Sequence, residues 1–304
     1  MKLRSKFFLT LLFVTSLIHL AKAQEDLLNM LDSTVEKETK VFATFKGTRI
    51  VNAQSIETVK KNGLDFRITH HFGDIGGESG GIHTLYGFDQ AADIRIAFEY
   101  GVTDRLTAGI GRSKIAEMID GLLKYRLLQQ TIDNKMPVSV TLFANTAFTP
   151  QKEINGEYKN ALHRFSYTFQ ALLAKKINQK FSVQLIPSYV HRNYVFNHED
   201  ENDLFSLGVA SRLKLSKRFA ILADYYYTFS DFRDKYRDRY FAPLGLGIEI
   251  ETGGHVFNMF FTNNAGILEN SYISNTTSSW TKGEYKFGFN ISRTFTIGKK
   301  KLTE

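Results

Sequence analysis

Past Gly63 the chain alternates apolar and polar residues with a period of two, and no other feature narrows its fold as much. Leu64, Phe66, Ile68 and Phe72 interleave with Asp65, Arg67, Thr69 and His71, and Ile94, Ile96, Phe98 and Tyr100 interleave with Asp93, Arg95 and Glu99. Period two is a strand signal that sends successive side chains to opposite faces. One face of each strand is then apolar and the other charged, so the two faces cannot share a dry core. Comparable segments recur near residues 104–112, 121–129, 137–148, 163–175, 181–193, 204–215, 218–230, 243–251, 255–263 and 284–297, which predicts twelve strands.

The connections sort by length. Tight turns are expected at Gly101 to Asp104, Ile177 to Lys180, Ser216-Lys217 and Thr252 to Gly254, with a medium one at Gln130 to Met136. Longer polar loops fill the alternate gaps: Gly73 to Ala91, Arg112 to Asp120, Thr149 to Leu162, Tyr194 to Asp203, Asp231 to Ala242 and Asn264 to Lys282. Every short turn falls on one side and every long loop on the other, the layout of a bacterial outer-membrane barrel. The expected fold is all-β: a twelve-stranded antiparallel transmembrane β-barrel with short periplasmic turns and longer outer loops. Phe165, Tyr167 and Phe169, then Tyr225, Tyr227 and Phe229, fit interfacial aromatic girdles. A soluble β-sandwich or lipocalin-like barrel also alternates, but rarely sets so many charges opposite an apolar face on successive strands.

The N-terminus fits an exported protein. Lys2, Arg4 and Lys6 precede an apolar run from Phe7 to Leu20, and Ala21-Lys22-Ala23 follows before Gln24, the order of a secretory signal peptide over residues 1–23. That run is shorter than the roughly 20 residues a membrane helix needs. With no Cys, the chain offers neither a lipid-anchored cysteine nor disulfides. The formal charge of +8 includes four cations of the signal, so about +4 remains and nucleic acid loses its main support as a partner. The 26 Phe and 14 Tyr against 4 Pro favour strands over helices. Residues 24–62 form a periplasmic leader or a lumen plug, with a short Leu27, Leu28, Leu31 stripe and a strand-like piece from Val41 to Ile50; residues 63–304 form the barrel.

The stretches Leu64-Asp65-Phe66-Arg67-Ile68, Pro187-Ser188-Tyr189-Val190-His191-Arg192-Asn193, Glu251-Thr252-Gly253-Gly254-His255-Val256-Phe257 and Gly288-Phe289-Asn290-Ile291-Ser292-Arg293 resemble a family of outer-membrane β-barrels from Gram-negative bacteria related to Bacteroides, a domain of unknown function. The resemblance implies the barrel and carries over neither an activity nor catalytic residues. Two local features depart from the usual layout. A basic tail, Gly298 to Glu304, follows the last strand, and Arg293 falls on the apolar parity, which requires either interface depth or a bulge.

The candidate site is the inward set: Asp65, Arg67, Asp93, Arg95, Glu99, Lys124, Arg126, Arg164, Arg212, Lys214, Asp224, Glu249, Glu251 and Lys286. Twelve strands fall between barrels filled by side chains and open porins. The charges therefore either line a narrow channel for small polar solutes or pair across an occluded lumen, with a non-conducting scaffold or assembly partner as the alternative. Enzyme and metal readings are weaker. His70 and His71 point to opposite faces, and no His-x-Ser or Ser-x-His dyad occurs, although His255 with a cross-strand serine would still permit a barrel hydrolase. The loop from His198 to Asp203 carries oxygen ligands without the glycine or spacing of a dedicated Ca²⁺ loop. Gly109-Ile110-Gly111-Arg112 lacks the third glycine of a dinucleotide loop, so no cofactor is expected. Strand glycines against a crowded lumen explain it better, and a hairpin turn explains Thr252-Gly253-Gly254. The expected partners are outer-membrane lipids and the barrel-assembly machinery. If the long loops face outside the cell, protease added to intact cells should cut within them, trypsin within Thr149 to Leu162 or Asp231 to Ala242 and chymotrypsin within Gly73 to Ala91, which has no Lys or Arg, and trypsin should spare Ser216-Lys217; cleavage at Lys217 alone would invert the topology.

Overall fold

The computed structural model describes residues 40–153, 156–252 and 255–297. The expected signal segment, the leader up to residue 39, the Gly253-Gly254 turn and the tail from Gly298 lie outside the described residues. The strands are β1 (Gly63–Asp74), β2 (Ala91–Gly101), β3 (Leu106–Ser113), β4 (Ile119–Leu128), β5 (Ser139–Phe148), β6 (Phe165–Lys176), β7 (Phe181–Arg192), β8 (Asp203–Lys214), β9 (Phe219–Phe229), β10 (Leu244–Thr252), β11 (His255–Thr262) and β12 (Lys286–Thr296). Each pairs antiparallel with its chain neighbours, and β1 pairs with β12 to close the ring. Closure leaves no strand edge, which is what makes a sheet tolerable in hydrocarbon. Among the described residues no helix is long and apolar enough to cross a membrane.

Period two decides which face is which. On β1, Asp65, Arg67, Thr69 and His71 are buried inside while Phe66 and Ile68 face outward. His70 stacks outside on Phe289 and His71 meets Phe260 inside, as adjacent positions on a strand require. Arg293 is exposed opposite Phe66 in an unbroken register, its guanidinium 4.9 Å from the Phe295 ring centroid. No bulge accommodates it. It lies near the turn end of β12, where an outward charge is cheap.

The expected strand from Val41 to Ile50 does not form. Residues 40–62 run irregularly through the lumen, with isolated bridges at Lys40↔Thr131 and Arg49↔Gln54. The ring is already closed, so no open edge remains for this segment to join. It enters at the turn end, where Val41 N donates to Gln130 O at 2.8 Å, doubles back at Arg49 to Gln54, and returns where Lys61 N donates to Asp104 Oδ1 at 3.0 Å. The hydrophobic core is consequently inside the barrel. Phe45, Ile50, Val51, Ala53 and Ile56 of this hairpin pack with Phe143, Leu172, Ile186, Leu204 and Leu222 of β5 to β9. From the loop end, residues 263–276 fold inward and carry a one-turn helix, α2 (Glu269–Tyr272), named after α1 (Asp231–Lys235) in the β9–β10 loop.

The outer face carries level rows of apolar side chains. Ile248, 47% exposed, sits between Ile221 on β9 and Met259 on β11. Ile248→Arg should cost roughly 2–4 kcal/mol if the row lies at the bilayer midplane. Arg293→Leu should change stability little. Urea titration of the barrel folded into lipid vesicles measures both, and equal effects would contradict the assignment of the hydrocarbon face.

Candidate functional site

Irregular backbone inside a barrel needs partners for its N–H and C=O groups, and the wall side chains supply them. The Asp224 carboxylate of β9 accepts from Val51 N (3.2 Å), Asn52 N (2.7 Å), Ala53 N (2.9 Å) and Asn52 Nδ2 (2.9 Å), so it holds the hairpin tip by four bonds. Gly245 on β10 makes room for this tip, since a Cβ there would lie 2.6 Å from Asn52 Nδ2 and Val51 Cγ1. Lys124 Nζ donates to Thr48 O at 2.7 Å and to Ser55 O at 3.3 Å, gripping both arms of the hairpin. Gln184 accepts from Ile56 N and donates to Gln54 O, and Asn258 donates to Ile50 O.

The two inserted segments meet in mid-barrel. Arg49 Nη2 donates to Glu269 Oε1 at 2.8 Å, both side chains being essentially without solvent exposure, and Arg49 Nη1 donates to Ile267 O at 3.1 Å. Gln54 Nε2 donates to the same Glu269 oxygen at 3.0 Å, and Asn264 Nδ2 reaches Asn52 Oδ1 at 3.1 Å. Asp93 of β2 pins the inward loop: its carboxylate accepts from Ile94 N, Lys114 N, Ile115 N and Ile267 N, each within 3.0 Å.

The remaining charges pair locally. Arg95 grips Asp120 through Nε (2.9 Å) and Nη2 (2.7 Å), a fork-on-carboxylate geometry. Gly111 fits beneath that guanidinium, where a Cβ would lie 2.4 Å from Nη2, so the glycines of the 109–112 stretch serve a crowded lumen. Arg67 bonds Asp65 at 3.1 Å and Thr48 Oγ1 at 2.7 Å. Glu99 is fully buried beside Lys124, Arg67 and Arg95. Arg126 meets Glu57 of the hairpin at 3.3 Å, Glu251 meets Lys46 at 2.6 Å, Arg212 meets Glu249 at 2.7 Å, and Lys286 meets Asp74 at 2.5 Å.

Arg164 does not belong to this set. It ends a helical turn before β6, donates to Thr149 O and Gln151 O, and lies over the Tyr158 ring at 4.4 Å. The strand there begins at Phe165, one residue beyond Arg164. Asp120 is the converse case, taken as a loop residue although β4 starts at Ile119 and sends Asp120 inward to Arg95. Sequence reasoning missed Arg49, Asn52 and Glu269: Arg49 sits in the piece read as a strand, Asn52 in the polar connector and Glu269 in a long loop, and none of these contexts points to a partner inside the lumen. The acidic loop between β7 and β8 is claimed by cations. Asp200 pairs with Arg192 and Arg233, and hydrogen bonds from Lys235 and Tyr236 hold the Glu199 carboxyl below its ordinary range. Among the described residues no group of His, Asp and Glu is placed to hold a metal ion. His255 rests against Phe257 with ring centroids 5.7 Å apart.

A closed strand ring with an apolar exterior and a lumen filled by two inserted segments is a plugged membrane β-barrel. The chain belongs to the family described as Membrane bound beta barrel domain (DUF5777), which it matches over residues 45–295, a stretch that begins inside the hairpin. No curated protein is similar to it in sequence. Among solved structures it is similar to the NanC porin, at 8% identity and a TM-score of 0.47 over 77% of this chain and 100% of that one. It is also similar to the COG4313 outer membrane channel of Pseudomonas putida F1, at 15% identity and a TM-score of 0.46 over 79% and 98%. Omp33 of Acinetobacter baumannii gives 9% and 0.41 over 80% and 100%. Likenesses at this level assign no solute and no conductance to this chain.

Arg49→Ala would leave the buried Glu269 carboxylate without its ion-pair partner, with a hydrogen bond from Gln54 and the more distant charges of Arg95 and Lys124, a loss expected to cost about 3–5 kcal/mol. Replacing both partners, Arg49→Met with Glu269→Leu, should restore most of the stability because no lone charge remains. Urea unfolding of the three proteins tests this, and a double variant as weak as Arg49→Ala would deny the ion pair its role.

Proposed function

We propose that the protein is an outer-membrane barrel of a Gram-negative bacterium related to Bacteroides, as the sequence resemblance suggests, and that it is closed at rest and non-enzymatic. The observation that carries this reading is the packing of the hairpin into the lumen wall. Phe45, Ile50, Val51 and Ile56 are fully buried, and burying a side chain of this size is worth about 1.5–3 kcal/mol. Their sum is roughly 6–12 kcal/mol as an upper bound, and its lower end corresponds to a withdrawn hairpin at about one part in 10⁴, so the plugged state dominates at rest. The ion pair contributes less: its attraction and its desolvation nearly cancel, so it fixes where the hairpin sits rather than how tightly. On this reading the inward charges are structural partners of the plug and of one another. The outward face meets outer-membrane lipids, and insertion passes through the barrel-assembly machinery.

Purified protein in planar bilayers should pass almost no steady current. Val51→Asp would put a carboxylate beside that of Asp224 and should produce intermittent openings. Steady openings of the unaltered protein would overturn the closed reading in favour of a narrow channel lined by Arg67, Arg95 and Glu99.

A further inference from the structure

The loop end of the barrel opens into a cavity of about 290 Å³, at the small end of the range for small-molecule sites. Its walls are unlike the lumen. The β5–β6 and β7–β8 loops bring together a panel of rings: Tyr158 and Tyr194 at 5.5 Å between centroids, Tyr194 and Phe196 edge to face at 5.2 Å, and His163 stacked on Tyr194 at 6.2 Å. Phe196 is 82% exposed and edge to face with Tyr194, so the ring panel presents an open aromatic surface at the cavity mouth. The floor is the inward loop, which presents Asn270, Ser271, Ser274 and Asn275, with Asn197 at the side. Asn270 is buried, donates to Ser166 Oγ, and leaves its Oδ1 without a partner.

The charge inventory is spare. Arg192 is ion-paired with Asp200 at 3.0 Å across the cavity wall and donates to Glu201 O at 2.5 Å, leaving only its Nε without a partner, and the Arg164 guanidinium is spent on two backbone carbonyls and the Tyr158 ring. A phosphate or polyanion would need cations that these contacts leave free, and a fatty chain would find amides and hydroxyls along the floor. A sugar ring fits both surfaces. Its C–H face lies on an aromatic ring, while its hydroxyls donate and accept at once, matching the amide and hydroxyl groups of Asn and Ser.

We infer that this vestibule binds a neutral saccharide, about one or two rings at the end of a longer glycan. The floor also has a mechanical address. Asn270 directly follows Glu269, whose carboxylate holds Arg49 and Gln54 of the plug, so a ligand that orders α2 acts on the residue that locks the two inserted segments together.

The test is affinity electrophoresis of the folded full-length barrel in gels containing mannan, starch, β-1,3-glucan, xylan or, as the anionic control, polygalacturonate. At least one neutral polysaccharide should retard migration. Phe196→Ala and Tyr194→Ala should each weaken that retardation by about tenfold. Phe196 is exposed, so heat-modifiability should be unchanged in its variant and loss of binding cannot be misread as unfolding. The inference is overturned if no neutral polysaccharide retards the protein, if only polygalacturonate does, or if retardation survives Phe196→Ala combined with Tyr194→Ala.

Discussion

The structure depends on satisfying an irregular stretch of backbone in a place that water does not reach. Twelve strands enclose more space than their own inward side chains fill, yet less than a wide porin channel. The hairpin of residues 40–62 fills that space, and because it forms only isolated bridges and no ladder, many of its peptide groups must bond to side chains. This requirement explains a wall that looks unsystematic as a list of residues. Asp224, Lys124, Gln184 and Asn258 stand where a particular N–H or C=O of the hairpin needs an acceptor or donor.

The lumen divides the work between two physical effects. Strands β5 to β9 present Phe143, Leu172, Ile186, Leu204 and Leu222 to the apolar side of the hairpin, which provides adhesion. Strands β1 to β4 carry Asp65, Arg67, Asp93, Arg95, Glu99, Asp120 and Lys124, which provide register and position. Arg95 with Asp120 and Arg67 with Asp65 pair within the wall, whereas Lys124 and Asp224 reach the plug. Buried charge of this kind adds little net stability when paired and is expensive when orphaned, so it penalises misplacement of the hairpin more than it rewards docking.

The closure is made from both ends. The N-terminal hairpin rises from the turn end, the β11–β12 loop descends from the loop end, and Arg49 with Glu269 joins them in mid-barrel. The single helical turn that carries Glu269 also forms the floor of the aromatic vestibule, so the exposed cavity and the interior lock share a few consecutive residues. An event at the open face thus has a short physical route to the plug, through packed side chains rather than across the wall.

The sequence by itself determined the wall. Strict alternation from Leu64 onward, the sorting of short turns against long loops, and the even number of strands follow from period two and chain length, because a strand's faces are set by its own residues. The inward direction of Asp65, Arg67, Asp93, Arg95 and Glu99 was legible for the same reason. Errors came at strand ends, where one residue decides the face: Arg164 fell just outside β6 and Asp120 just inside β4. What fills the lumen was decided only by tertiary structure. The piece from Val41 to Ile50 alternates well enough to pass for a strand, but a closed ring offers it no edge, and nothing local in Arg49 or Glu269 announces a partner 220 residues away. Such contacts are fixed by the shape and polarity of the enclosed space, which exist only once the barrel has closed.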